Sequence, residues 1–291
     1  MAQKKSTSKK HYPVVLQSKV GYTAPPAGTT FLIQTDRLLS RLNRRLYRQG
    51  RYYQCKIDID VSSNANIEVF ALRDDWAVQK AYHLAYRQYV INTAAERNVV
   101  GGNMVARWND FRVRSGQPST TTDLVPVLSS ASGVDVQLTT GEFQDAEVVD
   151  DTGTTKFFTW SNTPAANEFG VLVEYDKTAN AQRTPADIPA DLAYADIDSE
   201  VNEATHDHLL GDGNEPPYDR DGVNAGAPFV KVAELGSGTA GTGAQKLSTG
   251  FFTAPSGLIL ITGMNSGDVG DVVVEVKRGD YKGVHAPSML E

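Results

Sequence analysis

The sequence predicts a mainly β protein: an antiparallel β-sandwich or barrel with a basic N-terminal arm and one or two accessory helices. From about residue 120 onward helical periodicity vanishes, and eight short apolar runs alternate with clusters of Gly, Asp, Asn and Thr. Runs at this spacing favour antiparallel strands over repeating β-α-β units. With 291 residues and 40% hydrophobic composition, the chain can bury a substantial core.

The N-terminal residues 1–34 are predicted to form an arm, since basic and polar residues lead into the Pro- and Gly-rich stretch GYTAPPAGTT. An arginine-rich helix is expected next, over about residues 36–49. Thr35 or Asp36 can cap this helix, and Gly50 can end it. Helical spacing would place the arginines on one face and four leucines on another, namely Leu38, Leu39, Leu42 and Leu46.

Two strands follow the arginine segment. CKIDIDV alternates apolar and charged residues, and NIEVFAL comes after the turn residues SSNAN, so we expect a pair of strands. Cys55 is the only cysteine, which excludes an intrachain disulfide. It shares one side of its strand with Ile57, Ile59 and Val61, and this position indicates a small core residue rather than a nucleophile.

A second helix is predicted over about residues 75–97, capped by Asp74 and Asp75. Its apolar face would carry Val78, Ala81, Tyr82, Ala85 and Tyr89. The eight later strands are expected at VDVQLTT, GEFQDAEVV, KFFTW, FGVLVEY, PFVKVAEL, GFFTA, GLILITGM and DVVVEVKR. An acidic insertion at about residues 187–222 interrupts them, and it has the composition of an exposed loop. Residues 35–291 are therefore treated as one domain.

Charge is distributed very unevenly along the chain. Residues 1–51 hold eleven basic residues and one acidic residue, a net charge of +10, while residues 52–291 carry −17. Six of the arginines lie between Arg37 and Arg51 with no acidic residue among them. Such asymmetry indicates a basic arm for a polyanion attached to an acidic, solvated body.

The candidate nucleic-acid contacts are the basic side chains of this region. Guanidinium groups bind phosphate bidentately, so a row of arginines suits a nucleic-acid backbone, and binding would be salt-dependent and largely independent of sequence. A solvated helix face is the alternative, although such a face usually carries both signs of charge. The predicted contacts are Lys4, Lys5, Lys9, Lys10, Arg37, Arg41, Arg44, Arg45, Arg48 and Arg51.

Aromatic residues lie next to these arginines. Tyr47, Tyr52 and Tyr53 are compatible with stacking on the bases of a single strand. The alternative is that they anchor a helix end to a sheet. A second, weaker basic cluster follows at Arg107, Arg112 and Arg114.

The acidic insertion raises the question of a metal. His206, Asp207 and His208 are followed by Asp212, Asp219 and Asp221, but the spacing fits neither an EF-hand nor a zinc protease. We interpret this segment as a solvated loop and predict no cofactor. If a metal binds there, the hard oxygen ligands Asp207, Asp212, Asp219 and Asp221 favour calcium at an interface.

The sequence contains none of the common catalytic motifs, so we predict that the chain is not an enzyme. It has no nucleophile elbow, no phosphate-binding loop and no G-x-G-x-x-G that opens a helix. The glycine-rich GSGTAGTG lies between predicted strands and is typical of a hairpin loop. No apolar run is long enough for a membrane span, so we expect a soluble chain with no membrane partner.

A basic arm followed by an acidic, β-rich body resembles the single jelly-roll capsid proteins of small viruses, and most of all those of circular single-stranded DNA viruses. The run YADIDSEVNEATHDHLLGDGNEPPYDRDG, within a series of strands, adds to the resemblance. The resemblance implies an eight-stranded jelly roll that self-assembles into an icosahedral shell, with its basic side on viral single-stranded DNA. Such a protein would be found in the virion, and in the host cell during assembly.

Two other functions stay open. One is a non-enzymatic β-sandwich that binds carbohydrate or a host surface, with the basic arm serving only for attachment. This would need an exposed aromatic platform, whereas the three tryptophans, Trp76, Trp108 and Trp160, have core-like neighbours in the sequence. The other is a carboxylate- or metal-dependent hydrolase that uses the loop from Asp187 to Gly222, in which His206 and His208 would be required.

Overall fold

The computed structural model describes residues 19–22, 30–61, 66–95, 109–116, 122–123, 127–129, 135–138, 143–150, 152–179, 228–236, 245–263 and 269–290. This part of the chain is mainly β. The helices are α1 (Thr35–Asn43), α2 (Trp76–Asn92) and α3 (Val171–Ala179). The strands are β1 (Lys19–Tyr22), β2 (Phe31–Gln34), β3 (Tyr52–Val61), β4 (Asn66–Leu72), β5 (Thr122–Asp123), β6 (Val127–Ser129), β7 (Asp135–Gln137), β8 (Glu147–Val149), β9 (Thr155–Thr159), β10 (Glu168–Gly170), β11 (Phe229–Gly236), β12 (Gln245–Pro255), β13 (Leu258–Thr262), β14 (Val269–Val276), β15 (Arg278–Gly279) and β16 (Gly283–Val284).

Two large sheets form the body. The first has the strand order β12-β3-β14-β1-β6-β7, and the second has the order β11-β4-β13-β2-β5. Within these two sheets, neighbouring strands are antiparallel except β2 and β5, which are parallel. A third sheet, β10-β9-β8, and the β15-β16 hairpin complete the described strands. The predicted antiparallel β architecture is therefore confirmed at the level of antiparallel sheets packed together.

Eight of the strands pair in a nested order. The first strand, β1, pairs with β14, and β2 pairs with β13. Further in, β3 pairs with β12 and β4 with β11. Two further pairings, β3 with β14 and β4 with β13, join these pairs into the two sheets.

The main core lies between the two large sheets. Every second residue of a strand points inward, as the period of two requires. The first sheet contributes Cys55, Ile57, Ile59, Val272, Val274 and Val276, and the second contributes Phe31, Ile33, Ile67, Val69, Ile259 and Ile261. Each fully buried side chain of this size stabilises the fold by about 1.5–3 kcal/mol.

The core position predicted for Cys55 is confirmed, since its side chain is buried as a free thiol. Burial raises the pKa of this thiol to about 12, against a weaker opposing effect of its hydrogen bond with Thr35. A thiol with so high a pKa is not an effective nucleophile near neutral pH.

A second core covers the outer face of the second sheet. There α2, α3 and the third sheet pack against Leu32, Leu258 and Leu260, which alternate with the residues of the main core. The strand β13 is consequently buried on both faces, and this explains its uninterrupted apolar run LILI. The apolar face predicted for α2 is confirmed, because Val78, Ala81, Tyr82, Ala85 and Tyr89 are all buried.

The second helix begins at the predicted cap. The Asp75 carboxylate accepts the Val78 backbone N–H at 2.8 Å, which satisfies one of the free donors of the first turn. The helix ends at Asn92, a few residues earlier than predicted, with Thr93 at its C-terminal cap. No helix in the described ranges is both long and apolar enough to cross a membrane.

Two predictions about strands are wrong. The strands β3 and β4 are not paired with each other, since each has two other neighbours and they lie in different sheets. The run FGVLVEY forms only the end of β10 and then enters α3, where Val171 and Leu172 are buried in the second core. A short apolar run has no periodicity that distinguishes a strand from a buried helix, and packing decides between them.

Candidate nucleic-acid interface

The arginine-rich helix is shorter than predicted. Its N-terminal cap position is Gln34, which has no capping side-chain bond, so Thr35 and Asp36 lie inside the first turn. The helix ends at Asn43 because Arg44 adopts the left-handed conformation, with φ of 49°. Gly50 therefore does not end it.

Beyond Asn43, Ser40 supplies hydrogen-bond acceptors in place of those that a continuing helix would provide. Its carbonyl accepts the backbone N–H of Arg45 at 3.3 Å, and its hydroxyl accepts that of Tyr47 at 2.8 Å. The Tyr47 ring turns into the main core and is 1% exposed, while its hydroxyl donates to the carbonyl of Lys282 at 2.9 Å. Burial of a large aromatic side chain offsets the loss of helical hydrogen bonds.

The predicted single arginine face is consequently divided in two. Only Arg37 and Arg41 lie on α1, and residues 44–51 form a non-helical segment that leads into β3. We call the first pair the helical arginines. The cationic side chains of the non-helical segment are Arg44, Arg45, Arg48 and Arg51.

The helical arginines face the rest of the domain. The guanidinium of Arg37 lies 3.2 Å from the Asp145 carboxylate. Both helical arginines also lie over the Phe143 ring, with guanidinium carbons 5.5 Å and 5.7 Å from its centroid. Arg112 joins them there at 4.5 Å. This cluster connects α1 to the chain that precedes the third sheet.

Beneath this cluster lies a buried ion pair. Nη1 of Arg112 is 2.5 Å from Oδ2 of Asp36, and the two side chains are 2% and 0% exposed. Arg114 lies 3.0 Å from the same Asp145 that binds Arg37, and 3.4 Å from Glu168. The arginines at 112 and 114, which the sequence suggested as a second basic cluster, are thus paired with acidic side chains.

The non-helical segment packs instead against the β15-β16 hairpin, which we call the C-terminal hairpin. The Tyr281 hydroxyl accepts the backbone N–H of Arg48 at 3.1 Å. The guanidinium carbon of Arg51 lies 3.5 Å from the centroid of the Tyr281 ring, and Nη1 of Arg51 donates to the Ala286 carbonyl at 2.8 Å. The Lys282 ammonium lies 5.2 Å from the same ring centroid and donates to the carbonyl of Leu46.

Four cationic side chains therefore share one region, which we call the basic patch: Arg45, Arg48, Arg51 and Lys282. Arg45 belongs to it because Arg45 precedes Leu46, whose carbonyl binds the Lys282 ammonium. Burial lowers the pKa of Lys282, and the positive charges of Arg45, Arg48 and Arg51 lower it further, against a weaker opposing effect of Asp110. Arg48 is exposed and Arg45 is partly exposed, so both can reach a ligand in solvent.

Within the described residues, the basic patch has few acidic neighbours. In the ranges that the structure describes, no acidic side chain forms an ion pair with Arg45, Arg48 or Lys282. Asp110 is partly buried beside the segment, where its Oδ2 accepts the Gln49 backbone N–H at 2.9 Å. Burial raises the pKa of this carboxyl, and the charge of Arg112 acts against that rise.

The tyrosines of this segment anchor the backbone rather than stack on bases. Tyr47 and Tyr53 are 1% and 0% exposed, so their rings cannot reach a ligand, and the anchoring alternative holds for both. The hydroxyl of Tyr53 donates to the Arg48 carbonyl at 2.6 Å. Tyr52 is partly buried against the second core.

Several predicted site residues lie outside the described residues. They are Lys4, Lys5, Lys9 and Lys10 of the arm, and His206, Asp207, His208, Asp212, Asp219 and Asp221 of the acidic insertion. Arg107 and Trp108 lie outside as well. Among the residues that the structure describes, no group of three or more His, Cys, Asp or Glu side chains is placed to hold a metal ion.

Sequence reasoning missed Lys282 and Tyr281. The signal was present in KRGDYKG, residues 277–283, which places three cations around a Gly- and Asp-containing turn. This stretch lies more than 220 positions from the arginine segment in an otherwise acidic region, so nothing in the sequence connects the two. Only the pairing of the chain ends brings the two together.

A cleft of about 380 Å³ lies between α2, α3 and the third sheet. Its walls are largely apolar, and its carboxylates are Asp150 and Glu174. Both carboxylates already have partners. Asp150 accepts hydrogen bonds from Thr152 and from the backbone N–H of Thr154, and these bonds lower its pKa to about 2. Glu174 forms an ion pair with Lys177 at 2.7 Å. Among the described residues that line the cleft, the two carboxylates are thus already paired or hydrogen-bonded.

The tryptophans differ from the expectation of core positions. Trp160 is fully buried, whereas Trp76 at the start of α2 is 59% exposed, with the Lys80 ammonium 5.5 Å from its ring.

In comparisons with known proteins, no family model, no curated protein and no solved structure matches this chain.

Proposed function

We propose that this chain is a viral coat protein. In this proposal a single jelly-roll domain assembles with its copies into an icosahedral shell, and the basic N-terminal region holds a single-stranded DNA genome by contacts that do not depend on base sequence. The protein acts without catalysis or a resident cofactor. Its location is the virion, and the host cell during assembly.

The nested strand pairing is the observation that carries the proposal. A jelly roll is a long antiparallel ribbon rolled into two sheets, so its first strand pairs with its last, and the pairs continue inward in order. Here β1 to β4 pair with β14 to β11 in that order. The pairings of β3 with β14 and of β4 with β13 are those that rolling the ribbon creates. All other described elements except α1 and the C-terminal hairpin lie between β4 and β11 in the chain.

A jelly roll alone does not specify a function, since capsid proteins, lectins and cupins share it. Charge favours a coat protein among these classes. The first 51 residues carry +10 and the remainder carries −17. A shell that encloses phosphate polymer and stays soluble outside requires such a separation of charge.

Exposed apolar side chains on the sheet edges support assembly. In the described part of the two large sheets, β11 and β12 are terminal strands with a partner on one side only. Val230 and Val232 on β11 are 42% and 36% exposed, and Phe251 on β12 is 49% exposed. Apolar residues on unpaired edges favour contact with another chain.

The proposal is tested by producing the full chain and separating it by size-exclusion chromatography with light scattering, followed by electron microscopy. We expect uniform closed particles that contain nuclease-protected nucleic acid. A chain that stays monomeric and free of nucleic acid across ionic strengths would contradict the proposal.

A surface-recognition module remains the second candidate, and the exposure of Trp76 is the observation that favours it. An exposed indole beside a lysine can stack on a sugar ring or a host surface. Binding of the full chain to a glycan array, abolished by Trp76→Ala in the absence of particles, would favour this function over a coat protein.

A further inference from the structure

We propose that the non-helical half of the arginine segment and the tip of the C-terminal hairpin form one binding site for the phosphodiester backbone of single-stranded DNA. Arg45, Arg48 and Lys282 are its phosphate-contacting groups. This assignment rests on the proposed function and deepens it, since it names the residues that hold the nucleic acid and excludes the helical arginines.

The site is built from two distant parts of the chain. The Tyr281 ring lies against Arg51 at 3.5 Å and against the buried Tyr47 ring at 6.0 Å, in an edge-to-face arrangement. The Tyr281 hydroxyl fixes the backbone of Arg48, and the Tyr47 hydroxyl fixes the carbonyl of Lys282. The hairpin tip and the segment therefore have a defined relative position, and the cations they carry are held together before any ligand arrives.

The conformation of the hairpin tip also supports a binding site. Tyr281 and Val284 exchange backbone hydrogen bonds at 3.0 Å and 2.9 Å around a two-residue turn. Both central residues have positive φ, 50° at Lys282 and 95° at Gly283, which a type I′ turn requires. Asn, Asp or Gly normally occupies the first of these positions, because other side chains are strained there. A lysine at a strained turn position, with its ammonium on the Leu46 carbonyl and over the Tyr281 ring, is typical of a functional site.

The patch is electrostatically unfavourable in the unliganded chain. Like charges repel at short range, and the lowered pKa of Lys282 records this repulsion together with burial. Within the described residues these cations have no acidic ion-pair partner that would relieve it. A line of phosphates would supply the missing negative charge, and arginine and lysine are the side chains that bind it.

The helical arginines lack this availability. Arg37 is bound to Asp145, and both helical arginines lie over Phe143 together with Arg112. Binding a phosphate at Arg37 would require breaking an existing ion pair. Arg37 therefore holds α1 in place, and Arg41 shares its contact with the Phe143 ring, so we assign ligand binding to the non-helical segment.

The ligand is recognised through its backbone rather than its bases. The two aromatic rings at the centre of the patch are used internally, Tyr47 in the core and Tyr281 under Arg51. Contacts to phosphate alone give salt-dependent binding without base preference.

The test measures binding of fluorescently labelled oligothymidylate to the full chain by anisotropy, over a series of salt concentrations. Three variants probe the site and its surroundings: Arg45→Gln/Arg48→Gln, Lys282→Gln and Arg37→Gln. Arg87→Gln, an exposed arginine on α2, is the matched control for loss of one charge. All chains are compared in the same assembly state, verified by light scattering, and their folding is checked by thermal unfolding.

Each phosphate contact contributes about 0.7 to the slope of log affinity against log salt for single strands. We therefore expect the slope to fall by about 1.4 in Arg45→Gln/Arg48→Gln and by about 0.7 in Lys282→Gln, with affinity at low salt about tenfold weaker per contact. Arg37→Gln should lower the unfolding temperature without changing the slope, and Arg87→Gln should leave both unchanged.

Wild-type slopes in Arg45→Gln/Arg48→Gln and Lys282→Gln, or an equal loss in Arg37→Gln, would overturn the site assignment. Because the double variant changes only exposed or partly exposed side chains, it keeps the test decisive if Lys282→Gln fails to fold. The proposed function fails by a different result, since then the wild-type chain itself forms no particles and binds no oligonucleotide.

Discussion

Replacing Asp36 by Asn would leave the Arg112 guanidinium buried without its charge partner. The two side chains are 0% and 2% exposed, so water cannot take over the role of the carboxylate. Breaking a buried pair by removing one member costs about 3–5 kcal/mol, because the remaining charge stays in a medium of low polarity without its nearest opposite charge. Asp110 also acts on Arg112, but more weakly than Asp36. We expect the free energy of unfolding of Asp36→Asn to fall by this amount, measured by urea denaturation.

The pair itself is imperfect, which makes a second variant informative. Oδ1 of Asp36 and Nη2 of Arg112 have no hydrogen-bond partner among the described residues. The double variant Asp36→Asn/Arg112→Met should therefore recover most of the loss, because it removes both charges. Lys177→Ala serves as the exposed control, since its pair with Glu174 is 66% and 39% exposed and should contribute about 1 kcal/mol or less. A loss below about 1 kcal/mol in Asp36→Asn would refute the structural role assigned to this pair.

Three further predictions follow from other parts of the molecule. Gly50→Ala should destabilise the fold by about 1–3 kcal/mol in the same urea assay, because a Cβ there would lie 2.6 Å from the Tyr82 hydroxyl oxygen; unchanged stability would show that the tyrosine moves freely. Lys282 should make stability rise with pH over a window that ends near 10.5, since burial and the charges of Arg45, Arg48 and Arg51 lower its pKa in the folded chain, against Asp110. The folded chain binds fewer protons than the unfolded chain in that window, so the rise should disappear in Lys282→Gln, and an identical pH profile of unfolding temperature in both chains would contradict it. Phe251→Ser should reduce the yield of particles in size-exclusion chromatography while leaving the unfolding temperature within a few degrees, and an unchanged particle yield would exclude this edge from assembly.

Elements with a clear local pattern were predictable from the sequence. The alternation around Cys55 identified β3 and its inward face, and the spacing of the α2 residues identified both the helix and its buried side. Asp75 was recognised as a cap because a carboxylate before a helix satisfies free backbone donors. In each case, the information lies within a few neighbouring residues.

The errors arose where distant contacts decide the local structure. α1 ends at Asn43 because Tyr47 enters the core and Ser40 accepts hydrogen bonds from the backbone N–H groups after the helix. No residue near position 44 in the sequence indicates this end. The segment after Gly170 is helical because Val171 and Leu172 pack against α2. β3 and β4 follow each other in sequence but lie in different sheets, which depends on strands almost 200 positions later.

The candidate site was half predictable for the same reason. The concentration of arginines between residues 37 and 51 is visible in the sequence, but its division into bound and available side chains is not. Asp145 and Phe143 hold Arg37, whereas Tyr281 and Lys282 come to the other half from the C-terminal hairpin. Charge counts therefore favour the proposal of a polyanion ligand, and only the tertiary contacts separate the paired arginines from the available ones.

The most direct measurement is an electron cryo-microscopy reconstruction of particles purified from nuclease-treated lysate. We predict a closed shell in which Arg48 and Lys282 line the inner surface next to density for nucleic acid. A shell with these two side chains on its outer surface, or an inner surface on which the nucleic acid contacts only other residues, would contradict it.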